Sequence, residues 1–147
     1  MAHVKNIETE WPSHKQTLKT GKPSNDHFKE REGVKYAGEH LIIDVWDATH
    51  LDDLKLMEDT LRHAVEVSGA TLLHLHLHHF TSTGGISGVA VLAESHISVH
   101  TWPEKNYAAF DVFMCGDAEP EKTSSIFQNA FCSDNVEVKE ILRGIEL

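Results

Sequence analysis

The sequence predicts an α+β fold, a two-layer sandwich of a mainly antiparallel sheet with helices on one face. Three observations lead there: stretches alternating with period 2 follow one another, few helical stretches intervene, and one strand is a nearly continuous apolar run. A chain of 147 residues suits one domain with a modest core.

Residues 1–35 show no sustained periodicity and contain Pro12, Pro23, Gly21, Gly33 and scattered charges. They read as a flexible N-terminal arm, leaving residues 36–147 as the folded domain with order beginning near Glu39. Residues 40–46 alternate around Leu41, Ile43 and Val45, which suits a strand. Leu51, Leu54, Met57, Leu61, Ala64 and Val65 recur at helical spacing, and Gly69 is placed to stop that helix. Residues 72–79 alternate again. The apolar run over residues 86–93 predicts a strand buried on both faces. Residues 96–101 and 107–114 read as further strands. Residues 120–132 carry a helical stripe of Ile126, Phe127, Ala130 and Phe131, and residues 136–142 form the last strand. The uncovered sheet face must meet water or a partner.

The charge is uneven. Residues 1–35 carry seven Lys/Arg against five Asp/Glu, the rest six against eighteen, for a net −10. An acidic body repels nucleic acid and anionic membranes and attracts cationic small molecules. No apolar run approaches the roughly 18 residues of a membrane span. The first ten residues lack the apolar core of a secretory signal, and two cysteines make no disulfide framework, so the expected context is the cytoplasm.

The chemistry concentrates in residues 84–116, GGISGVAVLAESHISVHTWPEKNYAAFDVFMCG. Ser87 in GISG, the AESH junction at residues 93–96, HTWPE at 100–104 and YAAFDVFMCG from Tyr107 stand in an order and spacing that resemble the bacterial and archaeal S-adenosylmethionine decarboxylases. The resemblance extends more weakly over residues 38–147. Decarboxylating an amino acid leaves electrons on Cα, and a carbonyl that forms a Schiff base with the substrate amine can absorb them. The resemblance implies that this carbonyl is a pyruvoyl group made from Ser95. The Ser95 hydroxyl would attack the Glu94 carbonyl and convert the peptide bond to an ester. Elimination and hydrolysis would then leave a β chain, residues 1–94, and a pyruvoyl-capped α chain, residues 95–147.

The same resemblance assigns the other roles. Ser87 holds the processing intermediate, His100 takes the proton during elimination, and Cys115 reprotonates the substrate carbon. A thiol, with a reference pKa of about 8.5, can both give and recover a proton near neutrality. Glu104 matches a carboxylate that binds the ribose hydroxyls. Phe80 falls near the aromatic residue that stacks on adenine, although the loop over residues 81–85 is longer than the commonest pattern. Asp44 stands near the site, where the best-known members carry glutamate. The implied reaction yields decarboxylated S-adenosylmethionine for spermidine synthesis, in a homodimer of αβ units.

The residues leave alternatives open. Relatives with the same processing machinery act on ornithine or arginine, and others that have lost catalytic residues serve as non-catalytic regulatory partners. His74, His76 and His78 would project from one face of a strand, a pattern that zinc proteins use, although no metal is assigned here. Ser95 and His100 are five apart, so a regular strand would direct them to opposite faces. A bend or bulge near Ser95 is therefore expected.

Overall fold

The computed structural model describes residues 28–147, together with the backbone of residues 5–7. Nine strands and two helices follow in chain order: β1 (Lys5–Ile7), β2 (Lys29–Arg31), β3 (Val34–Tyr36), β4 (Gly38–Trp46), α1 (Leu54–Ser68), β5 (Leu72–His79), β6 (Ile86–Leu92), β7 (Ser95–Trp102), β8 (Tyr107–Cys115), α2 (Thr123–Ala130) and β9 (Asn135–Arg143). A seven-stranded sheet runs β1-β9-β4-β8-β7-β6-β5, and β2 pairs with β3 in a separate hairpin. Six of the sheet strands are antiparallel; β1 alone joins in parallel, on β9. The expected class is the observed one. Described elements already occur upstream of Glu39, in β1 and in the hairpin from Lys29; most of the arm expected over residues 1–35 lies outside the described residues.

Alternation sorts the strands into two faces. Leu41, Ile43 and Val45 of β4, Ile97 and Val99 of β7, and Ala108, Phe110, Val112 and Met114 of β8 are all buried. They meet Met57, Leu61, Ala64 and Val65 of α1 and Phe127 of α2 in one core, so both helices cover the same face. The Asp53 side chain accepts the Leu56 N–H (2.9 Å), which starts α1 at Leu54 rather than Leu51. Gly69 ends it at φ 78, with its N–H on the Glu66 carbonyl and the Ala70 N–H on that of Val65. The second predicted helix divides into a 3₁₀ turn, Pro120–Lys122, and α2. The Phe127 ring lies 3.9 Å from that of Phe110, nearly parallel and wholly buried. Phe127→Ala should lower unfolding free energy by about 3–5 kcal/mol, read from urea denaturation.

One expectation fails. β6 is buried on one face only: Ile86, Ala90 and Leu92 enter the core, whereas Val91 is 41% exposed on the open face. An apolar run cannot reveal whether its second face meets core or remains uncovered. A register shift between Leu72 and His74 lets Leu72, Leu75 and Leu77 all pack on the core while His74, His76 and His78 stay exposed. No helix among the described residues is long and apolar enough to cross a membrane.

Candidate active site

The predicted site residues fall into two groups at opposite ends of the sheet. The first surrounds the turn between β6 and β7. Leu92 pairs with Ser95, so only Ala93 and Glu94 make the connection, and Glu94 adopts the left-handed conformation (φ 61). For a residue with a Cβ this costs roughly 1–2 kcal/mol, so strain sits on the residue whose carbonyl precedes Ser95. Cys115, the last residue of β8, reaches the same point. Its thiol donates to the Glu94 carbonyl oxygen (3.0 Å), and its backbone N–H donates to Ser95 Oγ (3.3 Å). Ser95 Oγ and Cys115 Sγ are 3.9 Å apart, and a Glu94 carboxylate oxygen stands 4.0 Å from the same sulfur.

The second group lies at the other end of β7. Ser87 and His100 face each other across β6 and β7, with Ser87 Oγ 2.8 Å from His100 Nδ1. His100 pairs with Ala109, and Ala109 with Asp44, so Asp44 belongs to the same row of the open face. Phe80 follows β5, is 44% exposed and meets the His78 ring edge-on at 4.5 Å. Glu104 lies in the 3₁₀ turn Pro103–Lys105 after β7, exposed.

The bend expected near Ser95 is absent from the strand itself. β7 pairs without a register shift with β6 from Ser95 to His100 and with β8 from His96 to Trp102, and His100 projects from the open face. The irregularity sits one residue earlier, at Glu94. Five residues of regular strand separate Ser95 from His100 by about 17 Å. Within one chain, then, the Glu94–Ser95–Cys115 group and the Ser87–His100 group do not meet.

Residues beyond those predicted complete the second group. Tyr107 donates its hydroxyl to Asp44 (2.5 Å) and stacks between Trp46 (4.2 Å) and Trp102 (5.2 Å). Burial and the adjoining Asp44 carboxylate push the Tyr107 hydroxyl well above its ordinary range, so it stays protonated and donating. Between the groups, Asp111 receives His40 Nε2 (3.0 Å) and the Ser98 hydroxyl (3.4 Å). The sequence held a signal for these: Tyr107, Asp111 and Cys115 share parity on β8, and so share its open face. Among the described residues, no three His, Cys, Asp or Glu side chains converge to hold a metal ion, His74, His76 and His78 included.

Residues 39–144 match the family model described as S-adenosylmethionine decarboxylase. An S-adenosylmethionine decarboxylase proenzyme from Methanococcus vannielii is 49% identical, the match covering 76% of this chain and 93% of the relative. One from Thermomicrobium roseum is 39% identical, covering 76% and 97%. The crystal structure of the adenosylmethionine decarboxylase from Aquifex aeolicus superposes with a TM-score of 0.66 at 27% identity, over 76% of this chain and 94% of that one.

Proposed function

The chain belongs to the S-adenosylmethionine decarboxylase family, and on that premise we propose that it cuts itself between Glu94 and Ser95 and then decarboxylates S-adenosylmethionine. The observation that carries the reading is the convergence of the Glu94 carbonyl, the Ser95 hydroxyl and the Cys115 thiol on one strained turn. Attack of Ser95 Oγ on the Glu94 carbonyl carbon breaks the C–N bond and forms an ester. The Cys115 N–H, on Ser95 Oγ, orients that hydroxyl, and relief of the left-handed Glu94 conformation favours the shift. Loss of the Ser95 α-proton to His100 expels the Glu94 carboxylate, and hydrolysis of the resulting enamine releases ammonia and leaves a pyruvoyl cap. Ser87 holds the His100 ring for this step.

The pyruvoyl carbonyl, once formed, supplies the electron sink for the bond to the departing carbon dioxide. The residues around it fit such a group: a small strained turn, a backbone N–H and a thiol. Cys115 Sγ carries the proton destined for the substrate carbon. Phe80 offers a face for adenine, Glu104 a carboxylate for the ribose hydroxyls, and Asp44, oriented by Tyr107, a negative charge toward the cationic sulfonium. Cys115 and Cys132 are both free, which supports a reducing cytoplasm as the place of work.

A span of about 17 Å between Ser95 and His100 exceeds any direct proton transfer. The function therefore includes a homodimer in which two open sheet faces pack with β7 strands antiparallel, laying the Ser87–His100 pair of one copy over Ser95 of the other. Exposed Trp46 (40%), Trp102 (41%) and Val91 (41%) on that face support a second copy as its cover.

Two measurements test the reaction. Intact-mass spectrometry of purified protein should give two fragments divided after Glu94. Carbon dioxide should be released from S-adenosylmethionine and not from L-ornithine or L-arginine assayed in parallel. A chain still whole after prolonged incubation removes self-processing, and release from ornithine or arginine alone overturns the substrate.

A further inference from the structure

The hairpin β2–β3 lies upstream of residue 39, where the match to the family begins, yet its side chains reach the end of the strand that carries Cys115. Glu39 Oε1, buried, receives the Tyr36 hydroxyl (2.7 Å), Arg31 Nη2 (2.9 Å) and Lys29 Nζ (3.3 Å). Arg31 also spans to Glu140 on β9 (2.8 Å), and Lys29 donates to the carbonyl of Ala118 (2.7 Å). That carbonyl stands three residues past Cys115. On the sheet, Glu39 pairs with Met114 and Gly38 with Cys115. The approach there is close: a Cβ on Gly38 would come within 2.8 Å of the Met114 carbonyl oxygen and of the Phe113 ring.

The last residue of a strand frays unless the chain beyond it is tied down. Past Cys115 the chain turns at Gly116 (φ 60), then is held twice, by Lys29 on the Ala118 carbonyl and by the Glu119 N–H on the Ser68 carbonyl (2.8 Å) at the end of α1. Among the described residues, Lys29 is the one side chain joining the loop after Cys115 to the carboxylate beside its cross-strand neighbour. Burial would push the Glu39 carboxyl up, but the Tyr36 hydroxyl, Lys29 and Arg31 together bring it below the ordinary range. Glu39 is therefore ionised near neutrality and anchors the Lys29 ammonium through charge-assisted bonds.

We propose that the β2–β3 hairpin clamps the end of β8, and that Lys29 is a positioning residue that holds Cys115 against the Glu94–Ser95 junction before the cut and beside residue 95 after it. The inference rests on Cys115 as proton donor, and its test separates the two claims. The full chain is prepared with Cys132→Ser, leaving Cys115 as its sole thiol, and compared with the same chain carrying Lys29→Met, Lys29→Arg or Tyr36→Phe. Three quantities are followed: amide exchange over residues 115–119, the rate of Cys115 alkylation by iodoacetamide, and kcat and KM for carbon dioxide release. Lys29→Met, which keeps the aliphatic stem, should speed exchange and alkylation about tenfold and lower kcat about tenfold, with KM nearly unchanged. Lys29→Arg should stay near the parent. Tyr36→Phe, which removes one donor from Glu39 and keeps the buried ring, should shift the same readouts less, guarding against a folding defect in the first variant. Unchanged exchange and alkylation in both Lys29→Met and Tyr36→Phe overturn the clamp. Faster exchange and alkylation with undiminished kcat uphold the clamp and overturn Cys115 as the donor.

Discussion

Ser95→Ala should leave a single uncut chain of 147 residues that releases no carbon dioxide from S-adenosylmethionine. The substitution removes one oxygen atom at the first residue of β7, where the hydroxyl meets the N–H and the sulfur of Cys115 and takes no part in the strand ladder, so the strand and its pairings should survive. What disappears is the nucleophile for the Glu94 carbonyl, and with it the source of the electron sink. The effect is therefore all or none rather than graded. Wild-type protein should give residues 1–94 and a second fragment, 95–147, lighter by one ammonia than the same peptide beginning with serine. Ser125→Ala, on an exposed turn of α2, should be cut like the wild type. Unfolding midpoints for the two alanine variants would separate lost chemistry from lost folding. A cut Ser95→Ala chain would remove the mechanism at its first step.

Mixing two inactive variants should restore cutting. Ser95→Ala and His100→Ala each lose processing alone, the first for want of a nucleophile, the second for want of the base that Ser87 holds at 2.8 Å. Ser95 and His100 lie on one unbroken strand, about 17 Å apart, so each reacting centre should draw its serine from one chain and its histidine from the other. A dimer with one chain of each kind then contains one intact centre. Random pairing of equal amounts should leave about half of the His100→Ala chains cut and all Ser95→Ala chains whole. Mass spectrometry of the co-expressed proteins reads this directly. No cutting in the mixture would place both groups within one chain, against the regular pairing of β7.

Much of this was legible in the residues. Period 2 in β4 and β8 and the spacing in α1 follow from one physical fact: each element turns alternate or every third and fourth side chain toward the same core. The Gly69 stop was legible from a local signal, a glycine placed where the helix pattern ends; the Glu94–Ser95 junction was read only through resemblance to the family. The depth of β6 was not, because valine reads alike under a helix and on an uncovered face; Val91 shows the second. Nor was the hairpin at residues 29–36, whose short strands carry Lys29, Arg31 and Tyr36 to partners far along the chain, at Ala118 and Glu140.

The sequence by itself determined the family, through the motifs that hold Ser87, Ser95, His100 and Cys115, and the alternation that sorts residues to one face or the other. Only the tertiary structure decided which of those four can meet. Cys115 reaches Ser95 and Ser87 reaches His100 because antiparallel pairing brings residues 20 and 13 positions apart into contact. Five positions along one strand hold Ser95 and His100 apart, because an extended backbone advances about 3.3 Å per residue.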